Sequence, residues 1–241
     1  MSLLGRLVVA AVTLLSLVPT SSHSSTHVSH ENCVDLAIVL SVDGSGSIDA
    51  NEFQHQQQAI VAALRDAAVL QAMQRAGSVA AAVMYWGDAD WPVQETEFVF
   101  IDGPRDIELL VSAIENMPRQ VLGNTGLSSG LAAGLDKLET LQCAYKSVIN
   151  VSGDGSDTVV PRRKRLVPAL REVKARAVAA NVTINALVIT SEEKDLKSYF
   201  EKQVITGPDA FVMEIDGFGS YTEALRRKLI REIGPTAVSR R

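Results

Sequence analysis

The stretch VDLAIVLSVDGSGS, Val34 to Ser47, decides how this chain is read. Val34–Val42 is a continuous apolar run broken only by Asp35 and Ser41. A run this short, partly β-branched and followed by glycines, predicts a strand covered on both faces, as in a parallel sheet. Then comes Asp43-Gly44-Ser45-Gly46-Ser47, a D-x-S-x-S pattern. In an open α/β sheet, ligands bind at the carboxyl ends of strands, beside the point where the strand order reverses. Asp43, Ser45 and Ser47 lie two apart, so an extended loop turns three oxygens to one side. Gly44 and Gly46 permit the bend. One carboxylate and two hydroxyls are hard donors, suited to Mg²⁺, Mn²⁺ or Ca²⁺ and not to Zn²⁺.

Outward from this strand, helical and extended patterns alternate. Asp49–Ala76 shows helical spacing, with Phe53, Ile60, Val61, Leu64, Ala68 and Met73 able to share a face. Asp49 and Glu52 give it a capping signal, and Gly77 a stop. Ser78–Trp86 predicts a second strand, and the alternating Glu95–Ile101 an antiparallel edge strand. Pro104–Asn116, Gly126–Leu141 and Pro161–Ala180 predict helices, and Ser147–Ser152, Val182–Thr190 and Ala210–Ile215 strands. Ser220–Ile233 predicts an amphipathic last helix. The expected fold class is α/β, a doubly wound, mostly parallel Rossmann-like sheet. Its order is 3-2-1-4-5-6, with one antiparallel edge strand and helices on both faces.

Two further loops extend the pattern. Gly123-Asn124-Thr125-Gly126 precedes a predicted helix and offers another hydroxyl. Ser152-Gly153-Asp154-Gly155 ends the core strand expected beside the first. Taken together, Asp43, Ser45, Ser47, Thr125 and Asp154 resemble the metal-ion-dependent adhesion site (MIDAS) of the von Willebrand factor type A (vWA) domain family. The resemblance spans about Cys33 to Ile233. The phrases VDLAIVLSVDGSGS, INVSGDG and VTINALVI are also similar to a branch of exported bacterial proteins with this domain, described as a domain of unknown function.

The resemblance implies that Asp43, Ser45, Ser47 and Thr125 supply direct or near-direct ligands to a divalent cation, with Asp154 as the second acidic position. Mg²⁺ is the cation expected first, then Mn²⁺ or Ca²⁺. It also implies metal-dependent protein binding. A cation held by few charges keeps an exchangeable position, which an Asp or Glu of a partner fills. Gly153 departs from the family, many of whose members have Thr there, and Gly155-Ser156-Asp157-Thr158 is individual to this chain. The shape of that loop, and with it the choice of partner, is therefore this chain's own.

Composition agrees with one ordinary globular domain: 241 residues, 46% hydrophobic and 21% charged. A net charge of −5 gives no basic field for nucleic acid. Met1–Ser22 has a single charge, Arg6, an apolar run from Leu7 to Val18, and small polar residues after Pro19. This is the layout of a secretory signal peptide. The run is shorter than the roughly 20 residues of a membrane-spanning helix, so no span is expected in the mature chain. Removing residues 1–22 takes away one positive charge and no negative one, so −5 becomes −6. Residues 23–32 read as a polar linker, 33–233 as the domain and 234–241 as a frayed tail. Export, to the periplasm or beyond the cell, permits oxidation. Cys33 and Cys143 each precede strands expected to be adjacent and parallel, so a disulfide between them is expected over two separate thiols.

Enzyme patterns fail on particular residues. Gly44-Ser45-Gly46 begins like a dinucleotide fingerprint, but Asp49 stands where the third glycine belongs. Gly126-Leu127-Ser128-Ser129-Gly130 matches G-x-S-x-G, yet His23, His27, His30 and His55 all precede it, so the triad order of that fold cannot be completed. The alternative from a different class is a metal-assisted hydrolase at the same cation site, with Asp154, Asp157 or Asp88 as base. Trp86, Asp88, Asp90 and Trp91 could rim a partner surface, although tryptophans so placed more often cap a core. Arg162-Arg163-Lys164-Arg165 reads as a solvated face.

Overall fold

The computed structural model describes residues 33–158 and 167–234. The opening apolar run forms β1 (Val34–Asp43), in which every residue except Asp35 is buried. It pairs in parallel on both sides, with β2 (Val79–Trp86) and with β5 (Ala144–Gly153), which explains why both of its faces are apolar. Beyond β2 lie β3 (Gln94–Glu95) and β4 (Val99–Ile101), both antiparallel to it. Beyond β5 lie β6 (Val182–Ile189) and β7 (Val212–Ile215), both parallel. The order among the described residues is β3-β2-β1-β5-β6-β7, with β4 also on β2. This is the expected doubly wound sheet with its edge strand broken in two. At the break, Thr96 Oγ1 accepts from Val83 N at 3.1 Å, so a side chain stands in for a ladder carbonyl.

Successive β1 side chains enter opposite layers. Leu36, Ile38 and Leu40 pack under α1 (Ala50–Leu64), α2 (Ala67–Ala76), α3 (Pro104–Glu115) and α7 (Tyr221–Ile233). Ala37 and Val39 pack under α4 (Leu127–Glu139), α5 (Leu170–Ala179) and α6 (Leu196–Gln203). The capping box at Asp49 and Glu52 is formed as expected. The single helix expected over 49–76 is instead two. Asp66 accepts from the N–H groups of Ala68 and Val69 and starts a new helix. Ile60, Leu64, Val69 and Met73 still reach one core, so the apolar period runs through the break.

Of the helix expected over Pro161–Ala180, the described residues form α5 from Leu170, after a non-helical stretch at 167–169 that contains Pro168. The basic cluster at 162–165, the leader and linker, and the tail from 235 lie outside the described residues. At the edge where β1 and β5 begin, Cys33 and Cys143 form the expected disulfide, with Cα atoms 4.5 Å apart. No helix among the described residues is long and apolar enough to cross a membrane.

Candidate metal centre

β1 delivers Asp43, fully buried, to the carboxyl edge of the sheet. Ser45 N donates to Asp43 Oδ1 at 2.8 Å and bends the chain back. Gly46 N donates to Gly123 O at 2.7 Å, and a Cβ at Gly46 would lie 2.9 Å from that same oxygen. Glycine there lets the second loop close on the first. Arg119 braces the first loop from below. Its guanidinium donates to the carbonyls of Ser45 at 2.9 Å, Gly44 at 3.3 Å and Ile48, and lies over the Phe53 ring. Sequence reasoning missed Arg119, because a clamp on backbone carbonyls leaves no motif.

The second loop is fixed by Asp88, at the end of β2. Its Oδ2 accepts from Asn124 Nδ2 at 2.8 Å, and its N–H donates to Leu122 O at 2.8 Å. Between them Gly123 adopts φ +85°, a conformation that favours glycine. Thr125 is thereby set beside Ser45. The third loop leaves β5 at Gly153. A Cβ there would lie 3.1 Å from Asp43 Oδ2, and one at Gly155 would lie 3.2 Å from Thr125 Oγ1. Small residues at these points let the loop that carries Asp154 lie against the other two.

All five sequence-predicted residues fall in one cluster. Ser45 Oγ is 3.4 Å from Ser47 Oγ and 3.5 Å from Thr125 Oγ1, and Ser47 Oγ donates to Asp154 Oδ1 at 2.9 Å. Asp43, Ser45 and Asp154 are buried, while Ser47 is exposed. Asp43 Oδ2 is a buried acceptor with no hydrogen-bond partner among the described residues. Burial, and then the charge of Asp154, push the Asp43 carboxyl up to about 7, against the pull of Ser45 and Arg119. Asp154 is also raised, chiefly by burial. Two carboxylates held this way are short of positive charge. No group of three or more His, Cys, Asp or Glu suited to a metal occurs among the described residues. The donors are two carboxylates and three hydroxyls, a set that fits a hard divalent cation.

The neighbouring candidates divide. Trp86 is a core residue, with its Nε1 donating to Ser41 Oγ at 2.9 Å, whereas Trp91 is 46% exposed. In the G-x-S-x-G match, Cβ atoms at Gly126 and Gly130 would lie 2.2 Å from Gly87 O and 2.4 Å from Trp86 Cγ. The glycines therefore serve the close packing of α4 on β2. Ser128 is buried in α4, and its N–H donates to Asp157 Oδ1 at 3.2 Å.

The family profile described as "Protein of unknown function (DUF1194)" matches residues 32–237. No curated protein matches the chain. Among solved structures, the pilus adhesin SpaC from Lactobacillus rhamnosus GG, in its open conformation, has a TM-score of 0.61 at 13% identity, over 84% of this chain and 30% of that one. A von Willebrand factor type A structure from Catenulispora acidiphila has a TM-score of 0.58 at 16% identity, over 84% and 43%. Proximal thread matrix protein 1 from the mussel byssus, with a zinc-occupied MIDAS motif, has a TM-score of 0.55 at 15% identity, over 83% and 46%. The chain spans less than half the length of each of these three proteins. At such identities the likeness concerns the fold, which is that of the vWA domain. With the profile covering 32–237, the chain belongs to the DUF1194 family.

Proposed function

We propose that this chain is an exported, metal-dependent protein-binding domain whose partner presents an Asp or Glu side chain to a cation held by Asp43, Ser45, Ser47, Thr125 and Asp154. The observation that carries this reading is Asp43 Oδ2, a buried oxygen without a partner among the described residues, on a carboxylate bonded by Ser45 N and reached by the charge of Asp154, next to the linked hydroxyls of Ser45, Ser47 and Thr125. Mg²⁺ fits these donors best, with Mn²⁺ and Ca²⁺ next, since no thiol or imidazole joins them. The cation supplies positive charge and an exchangeable position. The hydroxyls of Ser45, Ser47 and Thr125 are neutral donors that leave part of that charge uncompensated, and the exposed Ser47 marks the side from which a partner carboxylate arrives.

Residues 1–22 act as the signal peptide, 23–32 as a linker and 33–233 as the binding domain, working in the periplasm or outside the cell. The Cys33–Cys143 disulfide supports an oxidising compartment. A role in adhesion or scaffolding suits a fold shared with a pilus adhesin and a byssal thread matrix protein. Hydrolysis has less support. Asp157 accepts from Ser128 N and Asp88 from Asn124 Nδ2, so two of the three candidate bases already hold loops together.

Titration calorimetry of the metal-free protein with MgCl₂ and MnCl₂ tests the centre. Saturable heat is expected from the wild type and none from Asp43→Ala. Absence of heat from folded wild-type protein overturns the cation site. Affinity capture from the native cell envelope tests the partner. Captured proteins should be lost with EDTA and with Asp43→Ala, and capture indifferent to both overturns the binding mode.

A further inference from the structure

At the opposite edge of the sheet from Asp43, where β5 and β6 begin, lies a cavity of about 320 Å³. Its floor is unusually polar. Asn185 and Glu232 line it and are only 3% and 2% exposed. Asn150 faces Asn185 across β5 and β6 and donates to Glu232 Oε2, while Lys228 Nζ, fully buried, donates to Glu232 Oε1 at 2.7 Å. Two asparagines, a lysine and a glutamate inside an otherwise apolar layer are more than packing requires, since apolar side chains would serve stability as well.

The cavity also gathers donors that the fold does not use. Arg231 lies with its guanidinium carbon 3.6 Å above the Phe211 ring centroid and has no hydrogen bond or ion pair among the described residues. Lys146 Nζ donates once, to the neutral carbonyl of Glu232 at 2.6 Å, and two of its hydrogens remain. Asn185 accepts from Phe211 N at 3.1 Å through Oδ1, while its Nδ2 has no partner among the described residues. On the rim stand Asn181, which closes the C-terminus of α5, and Asp209, both at φ +54°, a conformation that Asn and Asp tolerate. Asp209 has no ion pair within salt-bridge distance among the described residues, and its charge and that of Glu232 both act on Lys146.

We propose that this cavity is a second binding site, for a small organic acid. Lys146, Arg231 and Asn185 Nδ2 take the carboxylate, and Asp209 takes a hydroxyl or ammonium group of the same molecule. Two cations on the walls disfavour a metal ion, the polar floor disfavours an apolar guest, and the volume is at the small end for ligand pockets. The site shares no residue with the cation cluster, so it stands or falls independently of the proposed adhesion function.

Amide chemical shifts of ¹⁵N-labelled protein, titrated with L-malate and with L-glutamate against sodium chloride at equal ionic strength, test this. Saturable shifts are expected around residues 146, 185 and 231, preserved in Asp43→Ala. Arg231→Gln and Lys146→Gln should each weaken binding by about tenfold, as loss of one charge-assisted contact predicts. With succinate, which lacks the hydroxyl, as a further titrant, Asp209→Asn should weaken malate and leave succinate unchanged. Arg231 is exposed, so Arg231→Gln is expected to fold, and an unchanged melting temperature checks that. Shifts no larger than those of chloride, or binding that survives both cation substitutions, overturn the proposal.

Discussion

Arg119 donates to the carbonyl of Ser45 at 2.9 Å across 74 residues of chain, and through that bond α3's trailing loop holds the D-x-S-x-S turn from beneath. The same nitrogen, Nη2, also reaches the carbonyls of Gly44 and Ile48, so its two N–H groups are shared among three backbone oxygens. Arg119→Ala is expected to cost on the order of 2–3 kcal/mol of stability, read by urea unfolding. It should also weaken Mg²⁺ binding, although Arg119 is not a ligand. Calorimetric affinity equal to wild type would limit Arg119 to packing.

The Asp43 carboxyl gives the metal-free protein a pH signature. Its folded value is about 7 against an ordinary 3.8, so the folded state holds the proton more tightly than the unfolded chain. That stabilisation is full below about pH 4 and is lost as pH rises through about 7. Without metal, Asp43→Asn should therefore melt above wild type at about pH 8, with the gap closing toward about pH 4. Cation binding must displace the proton, so Mg²⁺ affinity should fall about tenfold per pH unit below about pH 7. A melting gap that is constant with pH would contradict this.

The disulfide closes a loop of 110 residues. In the chain-entropy account, replacing both cysteines by serine should cost about 4–5 kcal/mol in denaturant unfolding. Cation affinity should change little, because the bond lies at the other edge of the sheet from Asp43. A double variant as stable as the oxidised protein would refute the first expectation.

Gly130→Ala places a methyl group 2.4 Å from Trp86 Cγ, in a helix face with no slack. We expect a loss of about 1–3 kcal/mol, visible as a lower melting temperature. Ser128→Ala, by contrast, should leave any hydrolytic side activity untouched, which an esterase assay with a chromogenic substrate checks.

Much of this was legible in the sequence, for identifiable reasons. β1 declared itself because a strand buried on both faces must be continuously apolar, and the turn after it because two-residue spacing and glycines are local signals. Asp154 could be placed beside Asp43 because parallel topology puts the ends of β1 and β5 together. The disulfide followed from the same adjacency at the other edge. What the sequence concealed was short or non-local. α6 has eight residues and only Leu196 and Phe200 buried, too little to establish a period. The break before α2 hid because both helices feed one core, although Asp66 was a readable cap. Arg119, and the polar floor formed by Lys228, Glu232 and Asn150, depend on contacts between distant segments and carry no spacing rule.

The Cys33–Cys143 bond has a mechanical consequence. It welds the feet of β1 and β5, the two central strands whose far ends carry Asp43 and Asp154. Loosening at the start of β1 is thereby coupled to β5, so the two strands that carry the carboxylates part together or not at all.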